Sequence, residues 1–250
     1  MNISKKRAFN FKDRQGEKFI KKKEYYVEII EYFGSHNCTI KFQNGFIVKN
    51  IQYAKLIIGN IRYPYHPTIH GVGYLGVGKY ESTYIGYDVW SKMLARCYSK
   101  NYMEKKPTYI GCSVDERWYN FQVFAQWFEQ RYKKGFQLDK DILIKGNKVY
   151  SPETCCCVPS RINSLFVKND ANRGELPIGS SLTRQGTFKV GINIDKKSVY
   201  LGTYNTPEEA FQAYKVAKES RIKEVAEEYK EQIDQKVYEA MINWEVEITD

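Results

Sequence analysis

The sequence predicts an α+β protein: a small N-terminal β module, a central and mainly helical domain, and a C-terminal three-stranded antiparallel sheet backed by a helix. Three observations carry that prediction. Near the C-terminus, Phe188, Val190, Ile192 and Ile194 alternate with Lys189, Gly191 and Asn193, the period of two that puts one set of side chains on each face of a strand. In the middle, Tyr87, Trp90, Met93, Leu94, Cys97 and Tyr98 recur at helical spacing, as do Trp118, Phe121, Phe124, Ala125, Phe128 and Tyr132. Toward the N-terminus, Tyr26–Tyr32, Cys38–Phe42 and Phe46–Val48 read as short strands, the last two joined through the tight-turn signal Asn44-Gly45.

In chain order, residues 1–23 form a basic arm in which Lys5, Lys6, Arg7, Lys12, Arg14 and Lys18 precede Lys21-Lys22-Lys23, a composition attracted to phosphate. Residues 24–68 make the β module, a small antiparallel barrel or meander. Residues 69–82, punctuated by Gly71, Gly73, Gly76 and Gly78, read as a flexible linker. The spacing Gly71-x-Gly73-x-x-Gly76 matches a nucleotide-binding fingerprint only superficially, because the strand–turn–helix context and the acidic residue beyond are missing. Residues 83–170 form the central domain, whose two aromatic stripes read as core, with Pro107–Cys112 as loop and short strand between the helices. Residues 171–250 hold the C-terminal sheet: Pro177–Leu182, Thr187–Asp195 and Ser198–Tyr204 are its strands, and Pro207-Glu-Glu-Ala210 opens the helix. The apolar stripe of that helical region, Phe211, Tyr214, Ile222, Val225, Tyr229 and Ile233, continues to about Met241, too far for the short sheet to cover. Its end is expected to pack on the central domain or on a second copy of the chain, as a homodimer. Trp244–Thr249 alternates like one final strand.

The 250 residues carry a formal charge of +10, which points to an anionic partner, with a merely basic solvated surface as the alternative. The 21 tyrosines add stacking faces and phosphate-contacting hydroxyls, although tyrosine also fills half-exposed sheets. No apolar run approaches the roughly 20 residues needed to span a bilayer, and no apolar stretch follows the basic N-terminus at signal-peptide position, so a cytoplasmic location and no membrane partner are expected. In that compartment the six cysteines are expected reduced or metal-bound rather than disulfide-bonded. Cys97, Cys112 and two of Cys155–Cys157, such as Cys155 and Cys157, would suit a tetrahedral structural Zn²⁺ site. They lack the usual C-x₂-C knuckle, and free cysteine is a common buried residue.

Two stretches resemble known families. Leu201-Gly-Thr-Tyr-Asn-Thr-Pro-Glu-Glu-Ala210, with the strands before it, resembles an AP2 domain over roughly 55 residues, Leu176 to about Lys230. The resemblance implies double-stranded DNA as partner, the sheet's exposed face lying in the major groove. Carried over residue by residue, Ser181, Thr183, Arg184, Lys189, Asn193 and Tyr200 are the expected contacts, with Arg184 suited to guanine and Asn193 to adenine. Lys189, Lys196 and Lys197 suit phosphates, which position without specifying sequence. The arginines and tryptophans usual on these strands are largely absent here. The basic arm and β module add affinity through covalent linkage.

The second stretch runs from Leu138 to Asn163. It resembles the ββα-metal element of HNH endonucleases, particularly phage homing enzymes: Asn147-Lys148 stands in the loop, and Pro152-Glu153, Val158 and Asn163 keep the family's mutual spacing. The resemblance implies hydrolysis of DNA phosphodiester bonds with Mg²⁺ (or Mn²⁺), held here by Asp139, Asp141 and Asn163. It also implies a phage or prophage source. The sequence departs from the family pattern in two respects. Asp139 or Lys140 stands where the family has its general-base histidine, and Thr154 replaces the middle Asn; the three histidines, His36, His66 and His70, lie outside the motif. Asp139, Lys140 or Asp141 could act as base if its pKa were shifted. The expected function is a phage-type homing endonuclease with a degenerate HNH motif, with a non-catalytic DNA-binding regulator as the alternative and a virion or scaffold component as a third class.

Overall fold

A computed structural model describes residues 13–21, 25–167, 176–195 and 197–248. The chain is α+β and forms two compact units, residues 1–66 and 67–250.

In the first unit, β1 (Lys18–Lys21), β2 (Tyr25–Tyr32), β3 (Cys38–Phe42) and β4 (Ile47–Ile51) form an antiparallel meander in sequence order, followed by the short α1 (Tyr53–Ile57). Val27 and Ile29 on β2 and Cys38, Ile40 and Phe42 on β3 point inward and are buried with Leu56 of α1. Tyr63 stacks on Phe42 at 4.5 Å between ring centroids, extending this core beyond α1. The basic arm is therefore shorter than residues 1–23. Lys18–Lys21 pair with β2, and Phe19 between them packs into the core while Lys18 and Ile20 face outward. A lysine-rich edge strand hides its alternation inside what reads as a charge run. Residues 1–12 lie outside the described residues.

The second unit is organised on two helices, α2 (Gly86–Tyr98) and α4 (Phe121–Arg131), with α3 (Lys100–Lys105) and the two-residue β5 (Ser113–Val114) between them. Trp90, Met93, Leu94, Trp118, Phe121, Phe124 and Phe128 are almost fully buried, so the two aromatic stripes are core. Trp90 donates its indole N–H to the Trp118 carbonyl at 2.6 Å, which satisfies a polar atom that burial would otherwise penalise. The segment 69–82 is not a linker. Ile69, Val72, Leu75 and Tyr80 pack on this core, and the Gln122 amide donates to the Leu75 and Tyr80 carbonyls at 2.9 and 2.8 Å. A side chain at Gly73 would overlap Leu94 and Trp90, and one at Gly76 would overlap Asn120. These glycines allow close backbone approach, the other physical reason for a Gly-rich stretch.

Next come β6 (Phe136–Asp139), β7 (Val149–Tyr150), which pairs in parallel with β5, β8 (Cys156–Pro159), antiparallel to β6, and α5 (Ser160–Leu165). All four β8 residues are buried, because a core lies against each face of the strand. Cys155 and Cys157 belong to the aromatic core, while Cys156 and Val158 face a second core with Ile142 and Ile162. The run Cys155-Cys156-Cys157-Val158 is thus a continuous apolar run of the kind that a doubly covered strand requires.

The C-terminal sheet holds β9 (Ser180–Leu182), β10 (Phe188–Ile194) and β11 (Lys197–Tyr204), with β10 central and all pairings antiparallel. Helix α6 (Pro207–Tyr229) starts with a capping box in which Thr206 and Glu209 satisfy each other's backbone N–H groups. Its first half buries Ala210, Phe211 and Tyr214 against Val190 and Ile192 of the sheet. Its second half buries Ile222, Val225 and Ala226 in the second core, where Val237 and Met241 of α7 (Gln235–Ile242) join them. The end of the apolar stripe therefore packs on the central domain, the first of the two expected alternatives, and the boundary expected between residues 170 and 171 does not divide two compact units. The tail is not a strand: Val246 is buried beside the sheet core, and its N–H donates to the Glu219 carboxylate at 2.9 Å. No helix among the described residues is long and apolar enough to cross a membrane.

Candidate nucleic-acid interface

Because α6 covers one face of the C-terminal sheet, the other face is left to solvent. The strand register decides which side chains stand there, since directly opposed residues of antiparallel strands share a face. Lys189 lies opposite Ser181 on one side and Thr203 on the other, Gly191 opposite Tyr200, and Asn193 opposite Ser198. Ser181, Lys189, Asn193 and Tyr200 are thus brought together on the free face, joined by Ser198 and Thr203, which the sequence reading missed. For Thr203 the reason is a bulge between Val190 and Gly191 that leaves Leu201 without a partner in the register. It places Tyr200 and Thr203 on the same side although they are three residues apart, and their hydroxyls are 2.7 Å from each other. A strict period of two cannot find Thr203.

This face carries no carboxylate among the described residues. The Lys189 ammonium lies 5.7 Å over the Tyr200 ring, and Tyr200 is 60% exposed. Arg184 is exposed at the tip of the β9–β10 hairpin. Two expected contacts take different roles. The Thr183 hydroxyl lies 2.7 Å from that of Thr187, closing the same hairpin. Lys197 lies opposite Ile194 and so belongs to the helix side of the sheet, at its end. Lys196 lies outside the described residues.

The nearest acid, Asp195 in the β10–β11 turn, is turned to other work. It accepts from Arg161 of α5 at 3.1 and 3.2 Å and from Arg221 of α6 at 2.8 Å, while Arg161 also pairs with Glu228. The Arg161 hydrogen bonds, with the charge of Arg221, hold the Asp195 carboxyl below its ordinary pKa. Exposed pairs of this kind contribute little stability. Their consequence is geometric: they tie the hairpin tip to α5 and α6.

The stretch from β6 to α5 folds as strand, loop, strand, helix. The loop is held by side chains that the motif comparison had singled out. Asn147 donates to the Lys140 and Val149 carbonyls at 2.8 and 2.7 Å, Thr154 donates to the Val149 carbonyl at 2.7 Å, and Glu153 accepts from Arg117 at 2.7 Å. Asp139 Oδ1 accepts from the backbone N–H groups of Asp141 and Ile142 at 2.7 and 2.8 Å; burial pushes this carboxyl above its ordinary pKa against the effect of those bonds. Lys140 is 8% exposed, and its ammonium donates to Asp141 at 2.7 Å and to the Asn147 carbonyl at 2.6 Å. Asn163 donates to Gln137 at 2.7 Å, two residues before Asp139 on the same face of β6.

Of the expected ligands of Mg²⁺, Asp139 Oδ1 is taken by the backbone and one Asp141 oxygen by Lys140, whereas Asn163 engages Gln137 through its amide nitrogen. Among the described residues, no group of three or more His, Cys, Asp or Glu side chains is placed to hold a metal ion. A divalent cation there would compete with these hydrogen bonds, and Lys140 is engaged as a donor. The cysteines, including the four expected at structural Zn²⁺, lie in apolar cores. All six are buried free thiols, and burial pushes Cys97, Cys155 and Cys157 up to about 12. Cys112 packs in the same aromatic core.

No protein-family profile, curated protein or solved structure matches the chain.

Proposed function

We propose that this protein binds double-stranded DNA through the free face of β9–β11, an AP2-like sheet carried on an HNH-like ββα scaffold that serves structure rather than catalysis. One observation carries the reading: a solvent-facing sheet surface with Lys189, Asn193, Tyr200 and three hydroxyl residues, no carboxylate among the described residues, and the adjoining acid neutralised by two arginines. Lys189 suits a phosphate, and the Asn193 amide can both donate to and accept from an adenine edge. The second reading, a metal-dependent endonuclease, draws support from the strand–loop–strand–helix order of β6 to α5, but the Asp139 and Asp141 carboxylates there are already engaged by the backbone and by Lys140.

The test uses the intact chain. Duplexes enriched from a random pool are bound by the wild type, and the triple substitution Lys189→Ala, Asn193→Ala, Tyr200→Ala is expected to weaken binding about 10- to 100-fold, since one good base contact is worth about 1–3 kcal/mol. Supercoiled plasmid with Mg²⁺ or Mn²⁺ is expected to be retarded and left uncut. Nicking that Asp139→Ala abolishes would assign the nuclease instead.

A further inference from the structure

The chain's excess positive charge is not spread evenly. Residues 1–66 hold 13 of the 39 Lys and Arg but only 5 of the 29 Asp and Glu, so the rest of the chain is close to neutral. Ion pairs take up a larger share of the described Lys and Arg in the second unit than in the first. In the second unit, Lys79, Lys92, Arg117, Lys140, Arg161, Arg221 and Lys230 each have a carboxylate partner. In the first, Arg14 pairs with Glu17, whereas Lys18, Lys41 and Lys49 have no carboxylate in ion-pair range among the described residues.

Those three lysines share one surface. Phe19, Val27, Ile29, Ile40 and Phe42 turn inward, so Lys18 on β1 and Lys41 on β3, both opposite Glu28 of β2, turn outward. Ile47 of β4 lies opposite Lys41, which by the period of two puts Lys49 on the same side. The face is completed by Ile20 and Tyr26, and the Lys18 ammonium lies 5.5 Å over the Tyr26 ring. Among the described residues its three cations outnumber its two acids, Glu28 and, opposite Thr39, Glu31.

We infer that the outer face of β1–β4 is a second DNA-binding surface, which takes the phosphodiester backbone without reading bases. Flexible ammonium groups suit phosphate oxygens as point charges, and the exposed faces of Ile20 and Tyr26 suit the apolar sides of deoxyribose. The inference rests on the DNA-binding reading above. It assigns sequence-independent affinity to the first unit and base contacts to the C-terminal sheet, two sites on one chain whose affinities combine through linkage.

The experiment measures binding of the intact chain to a random-sequence duplex across a salt series, by fluorescence anisotropy. Each phosphate neutralised contributes about 0.9 to the slope of log affinity against log salt. The triple substitution Lys18→Gln, Lys41→Gln, Lys49→Gln is expected to lower that slope by about 2 to 3 and the affinity at about 0.1 M salt by roughly tenfold or more. The Lys→Arg triple, which keeps the charge, should retain both. An unchanged slope in the Gln triple, with binding still lost on substitution of Lys189, Asn193 and Tyr200, would overturn the inference and leave the C-terminal reading standing. A wild-type chain that binds no duplex would overturn both.

Discussion

Replacing Gly179 by alanine is expected to lower the thermal midpoint of the second unit by roughly 5–15 °C, corresponding to about 2–5 kcal/mol at about 2–4 °C per kcal/mol for a unit of this size. Two costs combine. Gly179 enters β9 with φ of +75°, a conformation that strains any L side chain by about 1–2 kcal/mol. Its α-carbon also sits against the Tyr214 ring of α6, so that an added methyl would overlap the ring. Tyr214 is buried with Val190, Ile192 and Phe211, and overpacking such a core costs typically about 1–3 kcal/mol. Gly186 separates the two costs. Its φ is +83°, but an added methyl there meets open space, so Gly186→Ala should show the backbone strain alone. Equal melting shifts for the two variants would contradict the seating of the sheet on Tyr214.

An aspartate at Ile222 is expected to cost about 4 kcal/mol or more, because it buries a charge with no partner. Ile222 is fully buried between α6 and the β6–α5 element. Val216, less than two turns earlier on the same helix, is 67% exposed, and Val216→Asp should change stability by no more than about 0.5 kcal/mol. The pair also tests where the apolar stripe goes. If it served a homodimer, Ile222→Asp would give a folded monomer from an associated wild type. Covered by its own chain, it gives loss of the cooperative unfolding transition instead, read by circular dichroism against denaturant.

The C-terminal sheet and its helix were legible because each local signal agrees with the others. Phe188, Val190, Ile192 and Ile194 alternate, Pro207-Glu-Glu-Ala210 is a helix start, and both match the observed elements. The aromatic stripes of α2 and α4 were legible for the same reason. What was not legible depended on partners distant in sequence. Lys18–Lys21 is a strand only because β2 pairs with it, and residues 69–82 are ordered only because Trp90, Leu94, Asn120 and Gln122 meet their glycines. Three consecutive cysteines, which residue type leaves open as ligands or as buried thiols, lie between two cores that only the folded chain brings together. At the candidate sites, Lys189 and Asn193 were placed by alternation and Tyr200 by resemblance, whereas Thr203 was hidden by the bulge at Leu201 and Lys197, expected at phosphates, lies on the helix side of the sheet. Asp139 and Asn163 were read from a resemblance and its spacing, which do not show that an oxygen is already bonded to backbone N–H groups or an amide nitrogen to Gln137.

Amide hydrogen exchange on the intact chain, with and without an enriched duplex, tests the central claim most directly. Binding through the free face of β9–β11 predicts new protection concentrated in peptides spanning residues 180–204, with the buried β8 and α4 peptides unchanged. Protection confined to the β6–α5 loop, or no DNA-dependent change in residues 180–204 under saturating duplex, would contradict the account.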